Sequence, residues 1–504
     1  MRYLLLALCL AAPLQAQTIP EFAESDRMEE VAATVSDVDQ IFRAYAERQH
    51  LPGFAYGVVV DGELVYSDGF GVANLERQIP ASTSTLFRIA SMSKSFTAVA
   101  ILQLRDAGKL NLDDPVSKYI PEAGGLDLLT SDAPQITIRH LLTHSAGFPE
   151  DNPWGDRQLA DSDEELRSLI AGGVSFSNVP GIAFEYSNLG FALLGQIVQV
   201  VSGMSFPEYT RKNIFEPLGM SSTVWEYENA SPEDVALGYA WQDESWVNIP
   251  LEHHGSFGAM GGLITSIEDF TNYVALHLSA WPPRSDPDTG PLKRSSLREM
   301  HQPWRVAGVM PGFEYPNGRA CPSARAYGYG LRWQEDCQGR IMIGHTGGLP
   351  GFGSNWMMLP EYGLAVMSFD NRTYGGTSTL NTAVLDSIIV LAGLQPRQLP
   401  APDILEVRRD QLVELWPDWA GAEQSGIFAD NFFMDYRLSD IVAATRELSE
   451  ETGEITGVGE VVPENQLRGT FMLYGENKNL KFFFTLSPEL DPLIQHVDIK
   501  RVEK

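Results

Sequence analysis

The sequence predicts an α/β fold: an antiparallel sheet flanked by helices, with an all-helical region inserted at about residues 95–280, followed by a small α+β domain. Three observations carry this prediction. Strand patterns stand at both ends of residues 17–395 with a helical middle between them, which implies one sheet built from distant parts of the chain. Pro396, Pro400 and Pro402 then interrupt the periodicity and mark a linker over 396–404. Helical and then strand-like patterns resume over 405–504. A length of 504 residues also exceeds the usual span of one domain. No internal repeat and no low-complexity tract is visible, so a solenoid or a linker protein is not expected.

In chain order, Arg2, the apolar run Tyr3 to Ala12 and Leu14-Gln15-Ala16 have the layout of a secretory signal over residues 1–16. An exported protein, periplasmic or secreted, is therefore expected, with a mature start near Gln17. The apolar run is well short of the roughly 20 residues of a spanning helix, so no membrane anchor is expected. Cys9 follows Leu8 where a lipoprotein signal needs a small residue, which argues against lipidation. Over residues 36–49, Val38, Ile41, Phe42 and Tyr45 fall at helical spacing, and Pro52-Gly53 ends that helix. Phe54 to Val60 and Glu63 to Ser67 flank Asp61-Gly62, a tight hairpin signal. From Ser91 to about Ala107 the apolar positions are again helical, with Gly108 as a C-terminal cap. A second clear helix runs from Leu189 to Val201 and stops at Gly203. Tyr327 to Gln334, Gly339 to Gly344, Asn355 to Leu359 and Leu364 to Phe369 read as an antiparallel meander, followed by a helix from Thr377 to Ala392. Beyond the linker, 405–450 look helical and 454–502 contain four strand-like runs.

A formal charge of -30 makes phosphate backbones and anionic membranes repulsive partners, since binding them relies on clustered Lys and Arg. Nucleic acid is thus not an expected partner. Apart from Cys9 the chain holds Cys321 and Cys337, and an even pair in an exported chain reads as a disulfide before a metal site.

Ser91-Met92-Ser93-Lys94 places a hydroxyl and an amine three residues apart on a helix, on one face and about 5–6 Å apart. The two can share a proton. A serine hydroxyl needs a base, and lysine serves only if desolvation or a neighbouring positive charge depresses its pKa. The tetrapeptide alone is a weak signal, and its context is what carries weight. Phe87-Arg88-Ile89-Ala90-Ser91-Met92-Ser93-Lys94 resembles the nucleophile motif of class C β-lactamase-like and penicillin-binding enzymes. Leu141-Leu142-Thr143-His144-Ser145-Ala146-Gly147 resembles a landmark segment of that family, Tyr186-Ser187-Asn188 its Tyr-x-Asn element, and Gly344-His345-Thr346-Gly347-Gly348 its third element on an inner strand. The resemblance covers roughly residues 36–395 and implies a β-lactamase/transpeptidase-like fold.

It also implies roles. Ser91 would attack a carbonyl, Lys94 would accept its proton, and Tyr186 would relay a proton to the leaving group. Asn188 would orient substrate and Lys94; the amides of Ser91 and Gly348 would form an oxyanion hole; His345 and Thr346, beside Gly347, would shape the substrate side, His345 through a hydrogen bond or positive charge. An acyl-enzyme would then hydrolyse, with no metal and no cofactor. Histidine at 345, where β-lactamases of the family mostly carry lysine, points toward its esterases, D-amino-acid peptidases and DD-carboxypeptidases. The expected partner is a small ester, amide or D-amino-acid peptide; a β-lactamase or a penicillin-binding DD-carboxypeptidase is the alternative, and an inert cell-envelope binding module the alternative of another class.

Other features read as structural. His140 and His144 have metal-ligand spacing but lack the glutamate of a zinc protease motif. His253 and His254 are neighbours whose side chains diverge on extended backbone, and are read as loop or cleft-rim residues. Gly351-Phe352-Gly353 lacks the Lys-Ser/Thr of a phosphate loop, and no Gly-x-Ser-x-Gly elbow occurs.

Overall fold

The computed structural model describes residues 18–315 and 318–504; the expected signal segment, its Cys9 and the expected start at Gln17 lie outside the described residues. Two compact units are present, one of Glu24–Pro396 and one that combines residues 18–23 with Arg397–Lys504.

The larger unit is organised by a nine-stranded antiparallel sheet. Its strands are β1 Gly53–Val60, β2 Glu63–Asn74, β3 Ile79–Pro80, β4 Arg305–Met310, β5 Ser323–Tyr327, β6 Arg332–Asp336, β7 Ile341–Leu349, β8 Phe352–Leu359 and β9 Leu364–Asp370, in the order β3-β2-β1-β9-β8-β7-β6-β5-β4. The β1–β9 pairing, Phe54 opposite Asp370 through Val60 opposite Leu364, joins the N-terminal strands to the late ones. Both faces of the middle of this sheet are covered, while β4 at its edge is largely exposed, and β1 shows how the sequence achieves the covering. Phe54, Tyr56, Val58 and Val60 pack in a cluster with Val38 and Phe42 of helix α1 (Val35–Arg48), whereas Ala55 and Val59 face the main core. Each fully buried side chain of this kind contributes roughly 1.5–3 kcal/mol of apolar burial.

Between β3 and β4 lies the helical region that contains α2 (Ser93–Asp106), α3 (Asn188–Ser202) and α4 (Ile267–Leu278). It is not all-helical as the sequence suggested. Gly238–Gln242 and Ser245–Ile249 form a hairpin, and Phe87–Arg88 pairs with Ile264–Thr265. The hairpin escaped the sequence reading because its turn residues, Asp243 and Glu244, adopt positive φ (49° and 56°) without the glycine that signals such a turn. Helix α5 (Ser378–Leu391) returns after β9 and packs on β8 and β9 beside α1.

The segment expected as one strand from Tyr327 to Gln334 is two strands, β5 and β6, because Gly328 and Gly330 turn the chain back, with Arg332 opposite Tyr327. Cys321 and Cys337 are bonded at the far end of that pair, with Cα atoms 5.4 Å apart and Asp336 opposite Ser323.

In the smaller unit, α6 (Asp403–Leu415) and α7 (Leu438–Thr452) accompany a five-stranded antiparallel sheet. The helical stretch is interrupted at Trp416-Pro417, since a residue before proline avoids helical backbone. The strands are β10 Ile455–Val458, β11 Val462–Asn465, β12 Arg468–Gly475, β13 Asn479–Leu486 and β14 Ile494–Val502, one more than expected; β11 pairs only with β12 and carries Pro463, a weak strand pattern. Leu405, Leu412, Trp419, Phe471, Phe482 and Phe484 belong to its own core. Residues 18–23 join this unit rather than the larger one because Glu21 and Gln398 exchange backbone hydrogen bonds of 2.9 and 2.8 Å, a bridge too short to leave a periodic signature.

Candidate active site

The chain enters the site through a strained turn. Ala90, φ 49°, occupies left-handed backbone that a residue with a Cβ rarely adopts, and Ser91 follows on the 3-10 turn Ala90–Met92 ahead of α2. The strand β7 passes directly beside this turn. Gly347 makes the approach possible: a Cβ there would stand 2.2 Å from the Ile89 carbonyl oxygen and 2.2 Å from Ser354 Oγ. Because β6 begins opposite Gly344, with Arg332, the edge of β7 from His345 onward is not paired with β6.

Lys94 is fully buried on α2, and its Nζ lies 3.0 Å from Ser91 Oγ, 2.7 Å from Asn188 Oδ1 and 2.9 Å from the Met260 carbonyl oxygen. The last two atoms can only accept hydrogen bonds. A neutral amine that donates its two N–H groups to them therefore turns its lone pair toward the Ser91 hydroxyl. Burial lowers the Lys94 pKa to about 7, against the pull of the Asp156 and Asp151 carboxylates, and Arg332 adds to the lowering. The amine is thus poised near neutrality, as a base for serine must be.

Asn188, the first residue of α3, is held from several sides. Asp151 caps the helix: its carboxylate accepts from the amides of Asn188 at 2.6 Å and Leu189 at 2.9 Å and from Ser187 Oγ at 3.2 Å. The Asn188 Nδ2 donates to Asn152 Oδ1 at 3.2 Å, which leaves Oδ1 for Lys94. His144 acts on the same loop. Its Nδ1 accepts the Ser187 amide at 3.0 Å, and its ring packs 4.2 Å from that of Tyr186, so this histidine positions the Tyr-x-Asn element. His140 completes a capping box with Thr137. Among the described residues no group of three or more His, Cys, Asp or Glu side chains converges as a metal site.

Tyr186 is buried, and burial raises its phenol well above the ordinary range, against the opposing effects of Arg332 and of a side-chain hydrogen bond with Ser91. It stays neutral at physiological pH and can relay a proton, taking one up as it gives its own away. Lys94 Nζ lies 4.9 Å from its ring centroid and the Arg332 guanidinium carbon 5.4 Å.

His345 departs from expectation. It is 1 % exposed, and burial, Arg332 and Lys94 hold its pKa well below the ordinary value, so it offers no positive charge near neutrality. Its Nδ1 lies 2.6 Å from the Thr346 carbonyl oxygen, an obligate acceptor, which puts the proton on Nδ1 and leaves Nε2 to accept from the Tyr327 hydroxyl at 2.8 Å. The ring lines a neighbouring cavity of about 370 Å³ rather than the one that holds Ser91.

Ser91, Tyr186, Thr346 and Gly348 share the walls of a cavity of about 300 Å³, with Lys94 and Asn188 behind Ser91 and Gly347 against the turn. Arg332, Asp156 and Tyr374 also line it, and the sequence reading missed all three. Asp151 and Asp156 fall in a loop with no periodicity, Tyr374 in the turn after β9, and Arg332 at the start of β6. His253 and His254, expected in a loop or at a cleft rim, lie in a loop, where His254 is half-buried with its ring 5.1 Å from that of Trp225 and His253 is exposed.

This arrangement can pass a proton from a serine hydroxyl to a buried amine over one hydrogen bond, the layout of a serine acyl-transfer site. The chain belongs to the Beta-lactamase family, whose model matches residues 38–388 and whose members are generally serine hydrolases. It is 28 % identical over 341 residues to Protein flp of Staphylococcus aureus (strain N315), covering 67 % of this chain and 63 % of that protein. Less than two thirds of that relative's length is therefore spanned. Beta-lactamase-like protein 2 of Dictyostelium discoideum is 32 % identical over 261 residues, 50 % of this chain and 47 % of that one. Among solved structures, the octameric penicillin-binding protein homologue from Pyrococcus abyssi superposes with a TM-score of 0.59 at 23 % identity, covering 92 % of this chain and 99 % of that one, a likeness of fold. The penicillin-binding protein from Bacillus halodurans gives 0.54 at 26 % identity, covering 69 % and 98 %.

Proposed function

We propose that this protein is an exported serine hydrolase that cleaves ester or amide bonds, D-amino-acid peptides among them, through an acyl-enzyme on Ser91. The observation that carries the reading is the 3.0 Å contact between Ser91 Oγ and the buried Lys94 amine, whose pKa is lowered to about 7. Lys94 takes the hydroxyl proton as Oγ bonds to the substrate carbonyl carbon. The amides of Ser91 and Gly348 receive the oxyanion. Tyr186 donates its phenolic proton to the departing oxygen or nitrogen and recovers one from Lys94. Water then attacks the acyl-enzyme, giving its proton to the same pair, which returns one to Ser91 Oγ as the carboxylic product leaves.

Support for the substrate class comes from charge. Neutral His345 supplies no cation on β7, whereas Arg332 is exposed, lines the cavity and makes no ion pair among the described residues. A guanidinium so placed suits a carboxylate on the leaving group, as in a peptide C-terminus. The disulfide supports an oxidising compartment, in keeping with the signal-like N-terminal sequence.

The test is hydrolysis of a short-chain nitrophenyl ester by the protein and by Ser91→Ala, purified in parallel. Turnover in the parent alone is expected, with a loss of at least about 10²-fold in the variant, the scale on which a covalent nucleophile's removal registers. Equal rates would overturn the assignment of Ser91.

A further inference from the structure

The cavity that holds Ser91 is lined by one carboxylate, Asp156, which the hydrolytic scheme above does not use. Asp156 is 2 % exposed and directly follows the short helix Asn152–Gly155. Its Oδ2 accepts a hydrogen bond of 2.9 Å from the Tyr374 hydroxyl, while Oδ1 is buried with no hydrogen-bond partner. Two carboxylate oxygens offer about four acceptor sites, so one donor leaves this group far from satisfied.

No Lys or Arg among the described residues forms an ion pair with it. Lys94 is near enough for its charge to lower the Asp156 pKa, but it directs its amine to Ser91, Asn188 and Met260 instead. Glu150 and Asp151 lie near enough to add to the negative potential. Burial raises the Asp156 pKa, which marks the carboxylate as under-compensated rather than neutralised by a fixed cation. A structural acceptor for Tyr374 alone needs no charge, because an asparagine would serve. A buried anion short of donors on the wall of a reaction cavity is what a cationic ligand group would satisfy.

We propose that Asp156 is the receptor for a protonated amine of the substrate, so that the site takes short amino-terminal peptides, amides or esters with a free ammonium and disfavours their N-acylated forms. The cavity of about 300 Å³ suits a ligand of one or two residues. Arg332 and Asp156 give it one cation and one anion, matched to a zwitterion. Seating the amine also prepares the base. Asp156 is the foremost group holding a proton on Lys94, so an ammonium that offsets its charge favours the neutral amine just when substrate is present.

The inference rests on the acyl-enzyme reading for its consequence but not for its test. Ser91→Ala protein is titrated calorimetrically with D-alanyl-D-alanine and with N-acetyl-D-alanyl-D-alanine, and likewise with the L,L pair; both members of a pair carry the same carboxylate for Arg332. In whichever configuration binds, the free amine is expected to bind at least about tenfold more tightly, the scale of one charge-assisted hydrogen bond, and the preference should fall to within about twofold in Ser91→Ala/Asp156→Asn. Equal or weaker binding of the free amine, binding of neither form, or a preference that survives Asp156→Asn would overturn the proposal. The comparison within Ser91→Ala stands even if the double variant does not fold. Failure of the acyl-enzyme reading shows elsewhere, as ester turnover that survives Ser91→Ala.

Discussion

In the proposed reaction Lys94 serves as the base because burial disfavours its proton, against the pull of the Asp156 and Asp151 carboxylates, while its contacts hold the amine in place. Its two fixed acceptors, Asn188 Oδ1 and the Met260 carbonyl, orient the amine, and burial makes the ammonium costly. The sign of the pH dependence follows: a lowered lysine pKa means that the active, neutral form grows as pH rises through about 7 rather than near 10.5. The kcat/KM of ester hydrolysis is therefore expected to climb with an apparent pKa close to 7, and Lys94→Ala to lose about 10²–10⁴-fold with that limb abolished. A profile flat from pH 6 to 9 would contradict it. At this scale the sequence was readable where chemistry is local. Ser91 with Lys94 and Tyr186 with Asn188 each lie within one turn or loop of one another, and the motifs name them. Asp151 and Asp156 reach the site from one aperiodic loop, Arg332 from a strand end and Tyr374 from a turn, so no spacing marks them. The choice between a hydrogen bond and a positive charge at His345 stayed open for a related reason: which hydrogen bonds a ring makes, and how deeply it is buried, are tertiary properties.

At the scale of elements, α3 matters most to the site because its first residue, Asn188, holds Lys94. Ser187 caps the helix from within, its Oγ 3.4 Å from the Gly190 amide, and Asp151 caps it from another loop. Removing the carboxylate in Asp151→Ala strands two helix-end amides in a buried setting. A loss of about 1–2 kcal/mol in urea unfolding is expected, together with a fall in kcat as Asn188 loosens its hold on Lys94. Unchanged stability and turnover would show that Ser187 suffices. Long amphipathic elements were legible almost to the residue: the helices expected at 36–49 and 189–201 occupy Val35–Arg48 and Asn188–Ser202, the latter closed by Gly203 at φ 73°. Short elements were not. The Gly238–Gln242 hairpin, the two-residue strands and β11 bury too few side chains to impose a period, and tertiary pairing alone creates them.

On the scale of the whole molecule, the sheet joins β1 to β9, about 300 residues later, and strand patterns at both ends of a helical middle are what made that closure foreseeable. Folding also fixes a balance of protons. Asp370 ends β9 in complete burial, with one carboxylate oxygen unpartnered, and burial raises its pKa to about 7. The folded chain holds this proton up to about pH 7, the unfolded chain only to about 3.9. Between those values the folded state binds more protons, so this group adds stability as pH falls from 8 toward 5. In Asp370→Asn that contribution is absent: the melting temperature should gain on the parent's most at pH 8 and the gap should narrow by pH 5, whereas a pH-independent gap would contradict the raised pKa. The central claim, that Ser91 is the nucleophile activated by Lys94, is tested most directly by intact-mass spectrometry after treatment with a fluorophosphonate, which phosphonylates an activated serine. One adduct per chain, mapped to the peptide that contains Ser91 and absent from Lys94→Ala, is the predicted result; an unmodified protein, or an adduct on another residue, would contradict it.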